Sequence, residues 1–198
     1  MGAPTKNKKD KLMGKAVQLF LTHGYEKTTM RDLARAVGIK APGIYYYFKS
    51  KKDILYQINQ DSWEKFQGMI LRETKKIADP EEKIKLYICN MIKYQFELGQ
   101  KTLILDDSPP LRYLRERKAQ ERAVFDFLRD TLQELARNKG TENTIDPTLG
   151  AFTLYSMVAR IYRWYNPKGK ITLEELGDQM TRFFFQGFYG GKLTKGKN

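Results

Sequence analysis

Between positions 28 and 52 the chain reads TTMRDLARAVGIKAPGIYYYFKSKK, and few folds accommodate that pattern. Met30, Leu33, Ala34 and Val37 stand at i, i+3, i+4 and i+7, which places four apolar side chains on one face of a short helix. Thr28 or Thr29 offers a hydroxyl N-cap, and Asp32, three residues after Thr29, completes a near capping box. Gly38 stops the helix, because glycine adopts the left-handed backbone of a helix end at little steric cost. Ile39 follows as an apolar plug. A second short helix starts around Ala41–Pro42, where the missing proline N–H has no helical partner to lose. Ile44 and Phe48 turn inward at i and i+4. Lys40, Ala41, Gly43, Tyr45, Tyr46 and Tyr47 are left on or near the outer face, since three consecutive tyrosines cannot all face inward on one helix. Ser50 caps the next helix, with Asp53 at its third position. Two short helices joined by a glycine turn make a helix-turn-helix, whose second helix can enter the major groove of DNA.

Charge points the same way. The 198-residue chain carries a formal net charge of +13. Residues 1–52 hold 12 Lys/Arg against 3 Asp/Glu, while the rest of the chain holds 24 against 20. The cations therefore concentrate on the helix-turn-helix end, as a phosphate-binding surface requires. A basic solvated face would give the same totals; the coincidence with the helix-turn-helix favours nucleic acid. The single cysteine, Cys89, excludes a disulfide within the chain and fits a reducing cytosol; it reads as a small buried hydrophobe. The single histidine, His23, sits where the first helix ends and a cation suits the helix dipole. With one of each, no Cys/His zinc set can be assembled and no catalytic constellation stands out. The chain is thus expected not to be an enzyme, with no metal and no cofactor. No run of about 18 apolar residues is present to span a membrane. The basic start MGAPTKNKKDK lacks a signal peptide's apolar centre and reads as an arm. The expected location is cytoplasmic, associated with the nucleoid, without a membrane partner.

The run Gly24-Tyr25, Thr28-Thr29-Met30, Leu33-Ala34, Ala36-Val37-Gly38-Ile39, Ile44-Tyr45, Tyr47-Phe48, Lys51 and Leu55 resembles the DNA-binding domain of the tetracycline-repressor (TetR, AcrR-like) family of bacterial transcription regulators. The resemblance covers about the first quarter of the chain. It implies that Lys40, Ala41, Pro42, Gly43, Tyr45 and Tyr46 lie where bases or nearby backbone are touched. Lys40 suits a guanine O6/N7 contact, Ala41 and Pro42 a thymine methyl, and Gly43 a close backbone approach. Thr29, Arg31, Tyr45, Tyr47 and Lys51 form the expected phosphate set, with Lys51 at a helix start whose N–H groups favour an anion.

The expected fold is all-α. A basic arm and three-helix helix-turn-helix domain over 1–52 is joined by a long helix to a helical ligand-binding and dimerisation domain over 53–189, about nine helices in all. Residues 190–198 read as a disordered tail. The first helix runs roughly from Lys8 to His23, with Leu12, Ala16, Leu19 and Phe20 inward. The fourth follows Ser50 to about Ile77 and couples the two domains. A fifth runs from Pro80 to about Leu98, followed by a loop over Gly99–Pro110. The basic stretch Leu111–Lys118 is a short helix or continues into the next, about Ala119–Asn138. Asp146-Pro147 opens the eighth helix, apolar on nearly all sides from Ala151 to Trp164, which implies burial from more than one direction. Thr172 and Glu175 make a capping box for the ninth, with Leu173, Leu176, Met180, Phe183, Phe184, Gly187 and Phe188 as its stripe. Helices 8 and 9 suit a homodimer interface, with Phe152, Phe183, Phe184 and Phe188 in it; an intramolecular core would give the same pattern.

Family resemblance also implies a small-molecule effector in the second domain. Trp63, Phe66, Met91, Tyr94, Phe125, Tyr155 and Tyr162 offer an aromatic and methionine lining, though such residues at helical spacing also build ordinary cores. Around Arg160–Leu176 the sequence ARIYRWYNPKGKITLEEL resembles regulators of fatty-acid and steroid degradation that respond to acyl-CoA thioesters. That resemblance assigns Arg112, Arg115, Arg160 and Arg163 to the phosphates of an acyl-CoA and Trp164 to stacking on a ring. The reading is a sequence-specific repressor released from a palindromic operator in double-stranded DNA by a hydrophobic effector. An activator, a response to another aromatic or drug-like compound, and a non-specific nucleic-acid-binding protein stay open at this stage.

Overall fold

The computed structural model describes residues 6–107, 111–140, 145–159 and 161–189; the expected tail over 190–198, the first residues of the arm and Arg160 lie outside them. Among the described residues there are eight helices and no strand. They are α1 (Lys6–His23), α2 (Met30–Ala36), α3 (Ala41–Ile44), α4 (Lys51–Phe66), α5 (Pro80–Asp107), α6 (Leu111–Lys139), α7 (Pro147–Val158) and α8 (Leu173–Phe188). From Phe66, α4 runs on through a π-helical stretch, Gln67–Arg72, and a final turn, Glu73–Lys75. Two compact units result: residues up to 65 with 98–116, and residues 66–97 with those from 117 onward.

The first unit closes over one apolar cluster. Leu12, Ala16 and Phe20 of α1, Leu33 and Ala34 of α2, Ile44, Phe48, and Ile54, Leu55 and Ile58 of α4 are each no more than 3% exposed. Burial of this kind is worth about 25 cal/mol per Å² of apolar surface, so packing rather than helix propensity holds helices as short as α2 and α3. Leu19 is only half-buried at its edge. The second unit packs Ile84, Tyr87, Ile88 and Ile92 of α5 with Leu128, Leu132 and Leu135 of α6, Leu154 and Val158 of α7, and Phe184, Phe185 and Phe188 of α8.

Three features depart from the expected elements, and one open alternative is decided. The loop over Gly99–Pro110 is helical as far as Asp107, and residues 108–110 lie outside the described ones. One interior glycine costs a helix only about 1 kcal/mol, whereas the pair Pro109-Pro110 disfavours helix in what precedes it. Of the two arrangements expected for Leu111–Lys118, the continuous one holds: the segment is the start of one long helix, α6. The helix expected to reach Trp164 stops at Val158, where Ala159 turns extended at ψ 141°. A single 3-10 turn follows at Ile161–Arg163. No proline or glycine marks that stop. The Gln95 amide N–H supplies it from α5 by donating to the Val158 carbonyl. Finally, α8 is rotated from the expected stripe. Phe185 is buried at 7% and Phe183 stands 76% exposed. A Cβ on Gly177 would meet Cys89 Sγ at 3.2 Å, so α8 lies close against α5 along the Gly177 side and turns Phe183 outward.

Candidate DNA-reading head and effector unit

The turn between α2 and α3 is set by hydrogen bonds the sequence anticipates. Thr29 Oγ1 accepts from the Asp32 N–H at 3.2 Å, and Asp32 Oδ2 accepts from the Thr29 N–H at 3.0 Å. The Thr29 hydroxyl also donates to Asp32 Oδ2, and these bonds hold the Asp32 carboxyl below its usual range. At the other end Gly38 takes φ +72°. That lets its N–H donate to Arg35 O at 3.1 Å and the Ile39 N–H reach back to Ala34 O at 3.0 Å, a Schellman closure with Ile39 packed on the core. Helix α3 therefore leaves α2 at a fixed angle. Its N-cap is Lys40, with Pro42 in the first turn. Ser50 Oγ accepts from the Asp53 N–H at 3.1 Å and opens α4.

This geometry separates the expected DNA-binding residues into three groups. Arg31, Lys40 and Pro42 are exposed, as is Thr29, whose hydroxyl is nevertheless held in the cap. Tyr45 and Tyr46 are 56% and 55% exposed, whereas Tyr47 is half-buried with its ring edge-on to Tyr46. Ala41 and Gly43 are half-buried, and a Cβ on Gly43 would meet nothing nearer than Ile39 at 3.9 Å. Lys51 stands apart. Its ammonium donates to Tyr25 O at 2.6 Å and Glu26 O at 3.1 Å and lies 4.3 Å from the centre of the Tyr25 ring. The cation expected for a phosphate also closes the turn between α1 and α2. The exposed Lys49 and Lys52, passed over in the sequence reading, stand on either side of Ser50 and Lys51. Only their charge could have singled them out. His23 lines an open cleft of about 620 Å³ with Leu19, Thr22, Lys27, Thr28, Asp32 and Arg35, its Nδ1 2.8 Å from Thr22 Oγ1.

The expected effector residues divide between the units. Trp63, Arg115 and Arg112 belong to the first; Trp63 is half-buried, Arg115 exposed, and the Arg112 side chain lies outside the described residues. In the second unit Phe66, Met91 and Tyr94 are buried, with the Phe66 and Tyr94 rings edge-on at 5.4 Å. Phe125 reaches Tyr155 at 5.7 Å and Phe152 at 4.0 Å between ring centroids. Tyr162 is half-buried, and Arg163 and Trp164 are exposed, Trp164 at 60%. Of the four expected dimer residues, Phe152 and Phe183 are exposed, at 53% and 76%. Phe184 and Phe188 are buried inside the protomer and stack on each other at 5.6 Å. Leu149, one turn before Phe152, is 60% exposed and was missed, because nothing in the local pattern distinguishes it from the helix's buried residues.

A basic three-helix head with an exposed second helix, carried by a chain that is otherwise a larger helical unit, defines a helix-turn-helix regulator. Residues 12–58 match the family of bacterial regulatory proteins named for the tetracycline repressor (tetR family), and residues 77–188 match the tetracyclin repressor-like C-terminal domain. The protein belongs to the TetR family, whose members are regulators of transcription and not enzymes. It is 24% identical over 180 residues to the HTH-type transcriptional repressor KstR2 of Mycolicibacterium smegmatis, covering 87% of this chain and 86% of that one. Among solved structures, AibR in complex with isovaleryl coenzyme A and operator DNA superposes with a TM-score of 0.78 at 25% identity, covering 89% of this chain and 97% of that one. The regulator PfmR of Thermus thermophilus gives 0.77 at 25% identity, over 88% and 97%. No helix among the described residues is long and apolar enough to cross a membrane.

Proposed function

We propose that the protein is a homodimeric repressor that binds a near-palindromic operator and is released from it by an acyl-CoA thioester. On this reading residues 1–52 form the DNA-binding domain and 53–189 the effector and dimerisation domain, with the exposed faces of α7 and α8 meeting across the dimer. The observation that carries it is the surface of α3: Lys40, Pro42, Tyr45 and Tyr46 are exposed on a helix held by closures at both ends of α2. Lys40 would read a base edge, while Tyr45, Tyr46 and Arg31 hold the backbone. Two such heads engage half-sites about 34–36 Å apart, or somewhat more. The likeness to AibR, crystallised with both isovaleryl coenzyme A and operator DNA, and to the repressor KstR2 supports the effector class and the direction of control. The exposed Arg163 and Trp164 offer a cation and a stacking ring.

Release follows from linkage. A thioester that binds one conformation of the dimer better than the DNA-competent one shifts the population by its differential affinity and no more. The test is binding of the purified protein to its own promoter region, titrated with acyl-CoA thioesters of increasing chain length and with the matching free acids. Release by thioesters alone is expected. Specific binding that no thioester disturbs would remove the effector assignment and leave the repressor.

A further inference from the structure

The interior of the second unit keeps polar atoms that no described residue satisfies. The Tyr87 hydroxyl and the Gln95 side-chain carbonyl are buried with no hydrogen-bond partner among the described residues. Tyr87 is 0% and Gln95 6% exposed. Native interiors rarely leave such groups unpaired. Both sit on α5 with Met91 midway between them, at i, i+4 and i+8, so they share one side of the helix over about 12 Å. The same side faces α7, where Gln95 donates to Val158 O one turn on from Tyr155. Phe125 of α6 closes against Tyr155. The Val158 carbonyl can only accept, which fixes the Gln95 amide and leaves its oxygen free to accept from elsewhere. One short stretch of apolar interior therefore presents a hydroxyl that can donate and a carbonyl that can only accept.

We infer that Tyr87 and Gln95 are the polar contacts of the effector's buried portion, Tyr87 donating to a carbonyl-type oxygen and Gln95 accepting from an N–H or O–H a few bonds away. This rests on the reading that the second unit holds an effector, and adds a chemical requirement to it. A purely hydrocarbon ligand would leave both atoms unsatisfied and be rejected, as sites built to hydrogen-bond a ligand reject analogues lacking the group. An acyl thioester on a cysteamine arm meets both needs: its carbonyl accepts, and the amide N–H of the arm donates. The matching free acid lacks that N–H.

The test uses the full chain, two variants and two thioester probes with separable outcomes. Tyr87→Phe removes only the hydroxyl. In ligand-free protein it is expected to raise the melting temperature by about 2–4 °C, because an unpaired buried group is deleted. A fall would mean that protein or a buried water already pairs the hydroxyl, and would overturn the inference whatever the effector. The binding probes are an S-acyl N-acetylcysteamine thioester and the S-methyl thioester of the same acid. Wild type is expected to prefer the first about tenfold, and Tyr87→Phe to weaken both about fivefold or more. Thr181→Val, which removes another unpaired buried hydroxyl on α8, is expected to leave both affinities unchanged. Equal binding of the two probes, or of wild type and Tyr87→Phe, overturns the inference. If wild type binds no thioester, the acyl-CoA reading falls. The inference then stands only if apolar hydroxy-ketones or N-alkyl amides bind wild type and lose affinity in Tyr87→Phe; no binding, or no loss, overturns it as well.

Discussion

Lys51 and Lys40 carry the same charge eleven residues from one another and do different work. Lys51 is only 21% exposed at its side chain and gives its protons to two backbone carbonyls of the α1–α2 turn. Hydrogen bonds from a charged donor contribute about 1.5–3 kcal/mol each context permitting, so Lys51→Met is expected to lower the melting temperature of the protein. Lys40 has solvent around it, and Lys40→Ala is expected to leave the melting temperature alone while weakening operator binding. Thermal melts beside operator titrations separate the two; a Lys51 variant of unchanged stability would return that residue to the phosphate set. Gly43 gives a sharper contrast. Nothing among the described residues demands its small size, since an added Cβ would touch only Ile39 at 3.9 Å. Alanine is the better helix former by up to about 1 kcal/mol. Gly43→Ala is therefore expected to hold or raise stability and yet to cost operator affinity, if the backbone there approaches DNA. Unchanged affinity would refute that approach.

At the scale of elements, close backbone packing and an ionic junction at the start of α5 help to hold the second unit. A Cβ on Gly150 of α7 would stand 3.2 Å from both Leu132 Cδ1 and Phe188 Cε2, side chains locked in the core. Gly150→Ala is expected to destabilise by about 1–3 kcal/mol through overpacking, measurable by denaturant unfolding. The junction is Glu81 at the start of α5. It accepts from Tyr189 Oη at 2.8 Å, just past α8, and pairs with Lys139 at 3.2 Å, the last residue of α6. The Tyr189 hydroxyl chiefly, then Lys139 and Lys85, hold the Glu81 carboxyl below its ordinary 4.5. The stabilisation is complete above that value and is lost as pH falls through the lowered one. Wild type is thus expected to lose melting temperature more steeply than Glu81→Gln below about pH 4.5; parallel acid profiles would show the junction to be idle.

For the whole molecule, the question is what covers Leu149, Phe152 and Phe183, three large apolar side chains that are each more than half exposed on α7 and α8. On the proposed dimer they meet a second copy. Phe183 is 76% exposed in the protomer, so Phe183→Glu is expected to convert dimer to monomer in sedimentation while leaving helix content intact, with loss of tight operator binding. A monomeric wild type would remove the dimer. With about 3–5 phosphates neutralised per subunit, operator affinity should fall steeply and log-linearly with salt.

The local sequence was enough to determine the head. Its helices are short and bounded by residues with one job each: Thr29 with Asp32, Gly38, Pro42 and Ser50 act on backbone atoms within a few positions, so their effects are read without knowing the fold. Apolar spacing likewise determined the all-helical class and most of the core. Tertiary structure alone decided the rest, because the deciding partners are distant in sequence. The stop of α7 at Val158 depends on an amide 63 residues away. The rotation of α8 depends on how closely Gly177 lets it approach Cys89. Lys51 is withdrawn from the surface by carbonyls 25 and 26 positions earlier. The Tyr87 hydroxyl and the Gln95 carbonyl, without partners among the described residues, become visible only when α5 and α7 pack together, since a hydrogen bond not made leaves no mark in a sequence.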